Sequence, residues 1–218
     1  MKGKTARSRK AAQVSLQVFF LALFAFLWWK GKLQLWMFLF GGALVASPFL
    51  GRFYCGWMCP MHTGFSLTGW LRKKLGLRWE PTPRAKGWKW VRSLVALAFL
   101  ALLVIIRVQK IPFNAFGWIT VAGLLFSLLL GENLWHRVFC PFGTFLRVFS
   151  RRGFFSARVL PEACVGCGAC QKVCPSSAIK GQGLEKRQVT ANECLVCTRC
   201  QDVCPTNAIV MTPKGGKE

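Results

Sequence analysis

Acid is scarce in this chain: seven Asp and Glu face thirty Lys and Arg, a formal net charge of +23 over 218 residues. Histidine is scarcer still, with two. Several catalytic signatures are missing. The sequence carries no flavin motif, no nucleotide-binding glycine loop, no C-x-x-C-H haem attachment and no hydrolytic constellation, which argues against a self-contained catalytic site. No polar segment is left over for signalling or DNA binding, so a redox-sensing regulator gains no support. The first apolar run lacks an A-x-A-like cleavage site and is expected to stay as an anchor.

What is present is apolar and basic in separate places. Apolar residues make up 53% of the chain, a fraction that sits badly with +23 in an ordinary soluble domain. The bases collect in the N-terminal tail, around 72–92 and after residue 136, with apolar runs between them. That segregation accounts for the charge without nucleic acid. Four stretches, 14–29, 33–50, 90–108 and 111–130, approach the ~20 residues that cross a bilayer. Their apolar character runs all round each helix instead of forming a stripe. The lysine and arginine asymmetry places residues 1–10, the segment between the second and third stretches and everything after Arg137 on the cytoplasmic side. Trp28, Trp29, Trp36 and Trp118 would mark the outer interface, and Trp88, Trp90 and Trp135 the inner one. The expected fold is therefore an α-helical membrane bundle of four transmembrane helices with a weak two-fold internal repeat, followed by a small α+β domain. The expected location is the cytoplasmic (inner) membrane, multi-pass, with both termini cytoplasmic.

The eleven cysteines do not read as a disulfide framework, because eight fall in two short repeats. Cys164-x2-Cys167-x2-Cys170-x3-Cys174-Pro175 recurs thirty residues later as Cys194-x2-Cys197-x2-Cys200-x3-Cys204-Pro205, and both continue into Ala-Ile, at 178–179 and 208–209. This is the C-x2-C-x2-C-x3-C-P run of bacterial two-cluster ferredoxins, whose fourth cysteine ligates the other cluster. One [4Fe–4S] cluster should take Cys164, Cys167, Cys170 and Cys204. The other should take Cys194, Cys197, Cys200 and Cys174. A single motif would leave room for zinc; two in tandem, each closed by proline, do not. Metal–thiolate bonds would also replace the large core that so short a domain lacks.

Three cysteines remain. Cys55-x3-Cys59-Pro60 follows the second apolar stretch and His136-x3-Cys140-Pro141 follows the fourth, with Thr63 matching Thr144. The first half is thus a weak repeat of two helices and a Cys-Pro motif. His62 and His136, the only histidines, both lie beside these motifs. Cys55, Cys59, His136 and Cys140 would suit a soft metal or a further Fe–S centre. A redox-active Cys55–Cys59 pair, a quinone- or partner-lining role, a bis-histidine haem on His62 and His136, and plain packing at helix ends are the other readings. Glu132 and His136, one helical turn apart, are candidate proton acceptors; for Glu132 the bland alternative is an ion pair with Arg137.

On Cys55-x3-Cys59-Pro60, Cys140-Pro141-Phe142-Gly143, the four apolar stretches and the tandem C-terminal motif, the sequence resembles the NapH/NosR-type membrane polyferredoxins. It departs from that pattern at His136, where a cysteine is usual, and at His62, where a glycine is. The resemblance implies an electron carrier rather than a stand-alone enzyme, or else a component of a quinol-dehydrogenase-type oxidoreductase. Its partners would be membrane lipid, quinone or quinol and a protein redox partner or reductase complex. The alternative it implies, from a related branch, is copper handling or reductase assembly through Cys55, Cys59 and Cys140, fed by the ferredoxin part. The expected domains are a basic tail (1–10), the membrane part (11–152), the two-cluster domain (153–212) and a mobile tail (213–218).

Overall fold

The computed structural model describes residues 2–77, 88–109, 115–152 and 154–213. Most of the expected tail at 213–218, and the basic residues Arg78, Arg84, Lys86 and Lys110, lie outside the described residues.

The first half is helical. Helix α1 (Lys2–Trp29) runs without a break from the basic N-terminal segment into the first apolar stretch. Helix α2 (Leu35–Leu50) ends at Gly51, whose φ of 62° turns the chain away. A single turn, α3 (Phe53–Trp57), carries Cys55, and α4 (Pro60–Lys74) follows. The start of α4 is set by chemistry: Cys59 is extended at the N-cap, and Pro60 takes the first helical position, where its missing N–H costs nothing. Arg72, Lys73 and Lys74 close its last turn, complementing the helix dipole. The same pattern follows α5 (Trp88–Val108) and α6 (Ala115–Leu130). A short α7 (Glu132–Leu134) leads into a π-helical turn (Trp135–Phe139), and α8 (Pro141–Phe149) opens with Cys140 at its N-cap and Pro141 at its first position.

The internal repeat shows in the backbone itself. The Cys59 amide donates to the Tyr54 carbonyl, and the Cys140 amide to that of Trp135, each five residues back and each at 2.9 Å. Both Cys-Pro motifs thus leave a widened helical turn before the new helix starts.

Among the described residues, four membrane-spanning helices are not found. One helix, Arg7–Trp29 with 23 residues, is long and apolar enough to cross a bilayer. Leu35–Leu50, Trp90–Ile106 and Ala115–Leu130 are shorter. At 1.5 Å per residue, 16 or 17 residues reach about 24–26 Å, short of a hydrocarbon core of about 30 Å. The expected four-span bundle and the multi-pass inner-membrane location are therefore corrected, and the charge asymmetry loses the alternating loops on which it was counted. The tryptophan belts need the same correction. Trp36 and Trp135 are core residues, and Trp36 Nε1 donates to the Tyr54 hydroxyl at 2.8 Å, whereas Trp29, Trp90 and Trp118 are exposed.

The second half is a small α+β unit. Strand β1 (Phe155–Val159) pairs antiparallel with the last strand, β4 (Ile209–Pro213), from Phe155 opposite Pro213 to Val159 opposite Ile209. Between them lie two one-turn helices, α9 (Ala169–Lys172) and α10 (Arg199–Asp202), and a two-residue ribbon, β2 (Ile179–Lys180) with β3 (Gln188–Val189). The two halves share one core. Phe40, Tyr54, Phe65, Phe99, Trp135 and Phe142 from the helices form a buried cluster with Cys55, Cys59, Cys140 and the ferredoxin-side residues Leu195 and Cys197.

Candidate functional site

All eleven cysteines are free. The eight of the C-terminal unit surround two cavities. Cys194, Cys197 and Cys200 line the first together with Cys174. Cys164, Cys167 and Cys170 line the second together with Cys204. Each cavity thus draws three sulfurs from one motif and the fourth from the other. The crossing follows from the fold: α9 and α10 each carry the third cysteine of their own motif and then deliver the fourth to the neighbouring cavity.

Backbone amides are aimed at these sulfurs. The Ala178 N–H donates to Cys174 Sγ at 3.3 Å and the Ala208 N–H to Cys204 Sγ at 3.2 Å. Amides of Arg187 and Gly166 hold the Cys164 thiol below its ordinary pKa, with burial acting weakly against them. Four thiols around a cavity, with N–H groups directed at sulfur, fit a [4Fe–4S] cluster. Hydrogen bonds to sulfur and burial are the protein's means of setting its potential.

The two cavities differ in setting. Cys167 is exposed, whereas Cys194, Cys197 and Cys200 are buried. Burial pushes the Cys197 thiol up to about 12, opposed by the Arg199 amide and charge. The buried loop seats on the first Cys-Pro motif. Trp57 Nε1 donates to the Val196 carbonyl at 3.0 Å, and Gln13 Nε2 donates to the carbonyls of Gly56 (3.0 Å) and Cys197 (3.3 Å). A Cβ at Gly56 would stand 2.5 Å from the Leu195 carbonyl oxygen, so only glycine allows this approach.

Charge ties the same loop to both motifs. Glu193, just before Cys194, meets Arg147 at 2.8 Å, Arg92 at 3.3 Å and Arg52 at 3.6 Å. Arg52 is fully buried and reaches Cys55 Sγ at 3.9 Å. Arg92 also donates to the Thr144 hydroxyl and the Gly143 carbonyl in the second motif. Arg199, between Cys197 and Cys200, pairs with Glu132. Beside the Arg137 pair weighed as the bland alternative for Glu132, the fold thus supplies a partner from the C-terminal unit.

Cys55, Cys59 and Cys140 are buried in the shared core. Cys140 Sγ caps α8 by accepting from the Gly143 N–H at 3.3 Å. Burial pushes the Cys140 thiol up to about 11 and raises Cys59 further, with Cys55 adding to both; burial also raises Cys55, against the opposing charge of Arg52. A reactive thiolate pair asks for the opposite shift.

The two histidines do meet. Their ring centroids are 5.6 Å apart, and Phe65 stands edge-on to His136. Burial pushes His62 down to about 3 and His136 well below its ordinary value, so both imidazoles are neutral. Glu132 joins them: one ligand atom from each of His62, Glu132 and His136 lies within 4.8 Å of the others. Among the described residues this is the only group of three such donors. The sequence held a sign of it in the Glu132-x3-His136 spacing, which puts both side chains on one helical face. The repeat of the Cys-Pro motifs hinted that His62 and His136 meet, but nothing local in the sequence signalled Arg52, Arg92 and Glu193 as the joint between the halves.

A ferredoxin-type iron–sulfur protein is what this architecture defines. The 4Fe-4S dicluster domain family matches residues 157–211, and the 4Fe-4S binding domain family matches 33–78 and 112–159, one match for each half of the helical repeat. The chain belongs to the ferredoxin-type proteins carrying these 4Fe-4S domains and is a distant relative of the NapH and MauN types. It is 29% identical over 149 residues to the ferredoxin-type protein NapH of Haemophilus influenzae, covering 59% of this chain and 49% of that one. It is 32% identical over 161 residues to the methylamine utilization ferredoxin-type protein MauN of Methylobacillus flagellatus, covering 63% and 54%. An uncharacterized protein of Methanocaldococcus jannaschii is 31% identical over 161 residues, covering 66% and 67%. The chain thus spans about half the length of the NapH and MauN relatives. No solved structure matches it. The likeness stands at the level of this class and not of one named protein within it.

Proposed function

We propose that the chain carries electrons between a quinol and a protein redox partner through two [4Fe–4S] clusters, one in each cysteine-lined cavity, with crossed ligation. The observation that carries this reading is the sharing of sulfurs, three from one motif and one from the other, around both cavities. The clusters would supply one-electron chemistry. The chain's own residues would hold the sulfurs, direct amides at them and bury one site while exposing the other. The exposed lobe around Cys167 faces outward for a protein partner. The buried lobe faces the Cys-Pro motifs, where Cys55, Cys59 and Cys140 contribute a polarizable wall between the helices and Cys197.

Lipid is the proposed surface partner. Helix α1 has the length to cross a bilayer, and Val18, Phe19, Phe38, Val45, Leu94, Leu97, Leu125 and Leu129 expose apolar side chains on α1, α2, α5 and α6. Such a collar exceeds what a soluble monomer usually shows. A copper-handling role would ask for thiolates grouped on one ion, whereas the grouped donors here are two imidazoles and a carboxylate.

The test is iron quantitation with EPR on anaerobically purified protein, reduced first by a quinol and then by dithionite. Eight irons per chain and cluster signals with both reductants are expected. Fewer than eight irons in intact protein would contradict the cluster assignment. Signals with dithionite alone would remove the quinol from the proposal.

A further inference from the structure

We propose that His62, Glu132 and His136 form a binding site for one divalent first-row metal ion, separate from both cluster cavities. The three donors come from different elements: the first turn of α4, the start of α7 and the π-helical turn before Cys140. Their ligand atoms lie within 4.8 Å of one another. Tetrahedral bonds of about 2.0–2.2 Å to one ion put donors roughly 3.3–3.6 Å apart, so closure from the 4.8 Å bound asks for shifts of up to about 0.7 Å by each of two side chains.

The second observation is polar atoms without an explanation. His62 Nδ1 and both ring nitrogens of His136 are buried and have no hydrogen-bond partner, in a part of the core where the neighbours are Phe65 and Trp135. Buried polar groups in native proteins are almost always satisfied. An ion would satisfy a nitrogen on each ring at once. Neutral imidazole is the ligand form.

The donor set selects the class of ion. Two imidazoles and a carboxylate are the three protein ligands of zinc sites that keep a fourth position open, and of non-haem iron(II) sites with open positions, and suit neither copper(I) nor magnesium. Arg199 Nη1 donates to Glu132 Oε1 and so orients the carboxylate from outside, as second-layer partners of metal ligands do. That arginine lies between Cys197 and Cys200, and the site therefore borders the buried cavity. Its cationic charge opposes a dication, and the Glu132 carboxylate paired with it offsets that charge. The inference stands on the histidines and Glu132 and does not require the cluster reading to hold.

Zinc is the probe, because no Fe–S cluster contains it. The full chain, purified anaerobically, is dialysed against Zn²⁺, and zinc and iron per chain are counted, with zinc X-ray absorption on the wild type. One zinc per chain is expected in a shell of nitrogen and oxygen near 2.0 Å. His62→Gln and His136→Ala should each weaken zinc binding at least ten-fold with iron unchanged, and Cys140→Ser should keep it. A wild type without stoichiometric zinc, or a sulfur shell near 2.3 Å, overturns the proposal, and the absorption readout needs no variant to fold. Loss of iron with zinc retained would count against the clusters and leave this site standing.

Discussion

The two cysteine motifs are the same run of residues folded into two different environments. In the first, Gly166 and Gly168 occupy left-handed positions at φ of 70° and 73°, where glycine bears no penalty. In the second, the matching positions hold Val196 and Thr198, at φ of 56° and 58°. A β-branched residue there costs roughly 1–2 kcal/mol. The second loop holds this strained shape because it is packed: Val196 is buried, its carbonyl accepts from Trp57, and the Thr198 hydroxyl donates to Gln13 Oε1. The first loop is covered from within its own unit: the Gly166 carbonyl accepts from Arg187 Nη2 at 2.9 Å, while Val165 and Cys167 are exposed. One lobe is shaped by its own sequence and the other by its contact with the helices. An electron carrier needs both: an open lobe that a partner can reach and a closed lobe fixed against the interior.

The contrast can be broken in graded ways. Glu193→Gln should have the largest effect. It leaves fully buried Arg52 facing Arg92 and Arg147 without their shared carboxylate, and uncompensated buried charge costs about 3–5 kcal/mol. Glu193 is itself 16% exposed, so a loss near the lower figure, about 3 kcal/mol, is expected. Denaturant melts of the iron-loaded protein measure it, and a change under ~1 kcal/mol, the scale of a surface pair, would mean that this charge does not join the halves.

A pair of glycine substitutions separates the lobes. Gly166→Ala puts a Cβ 2.2 Å from the Leu184 carbonyl oxygen at a left-handed φ; Gly56→Ala puts one 2.5 Å from the Leu195 carbonyl oxygen. Each should cost about 1–3 kcal/mol through overpacking, in different places. Hydrogen exchange should rise in 164–170 for the first and in 194–200 for the second. Equal responses in both loops from either variant would show that the lobes are not independent. The smallest effect is expected of Arg9→Ala. Its pair with Asp202 is 30% and 29% exposed, and such surface pairs are worth about 0–1 kcal/mol. A thermal melt shifted by more than that scale would promote the N-terminal helix to a structural clamp on the buried lobe.

Legibility followed the range of the interactions. The cysteine spacing is local, and each cavity is lined by three cysteines of one motif and one of the other. The Cys-Pro repeat is local as well, and it appears as two matching five-residue backbone bonds and two proline-led helices. The second stretch reads as 33–50, whereas α2 begins only at Leu35, because Leu33 and Gln34 belong to the turn after α1. Arg52 was counted among the charges between the second and third stretches, yet it and Arg92 are buried beside Glu193. That role depends on contacts across 101 and 141 positions, which no window along the sequence contains. Glu132 was weighed against Arg137, its near neighbour in sequence, and the fold brings it Arg199.

Crossed ligation is the claim on which the rest depends, and single serine substitutions test it most directly. Cys167→Ser and Cys197→Ser first identify the EPR signal of the exposed and the buried cluster. Cys174→Ser should then remove the buried-cluster signal, although Cys174 belongs to the first motif, and Cys204→Ser should remove the exposed one. If Cys174→Ser instead removes the signal lost in Cys167→Ser, each motif serves its own cluster and the account fails.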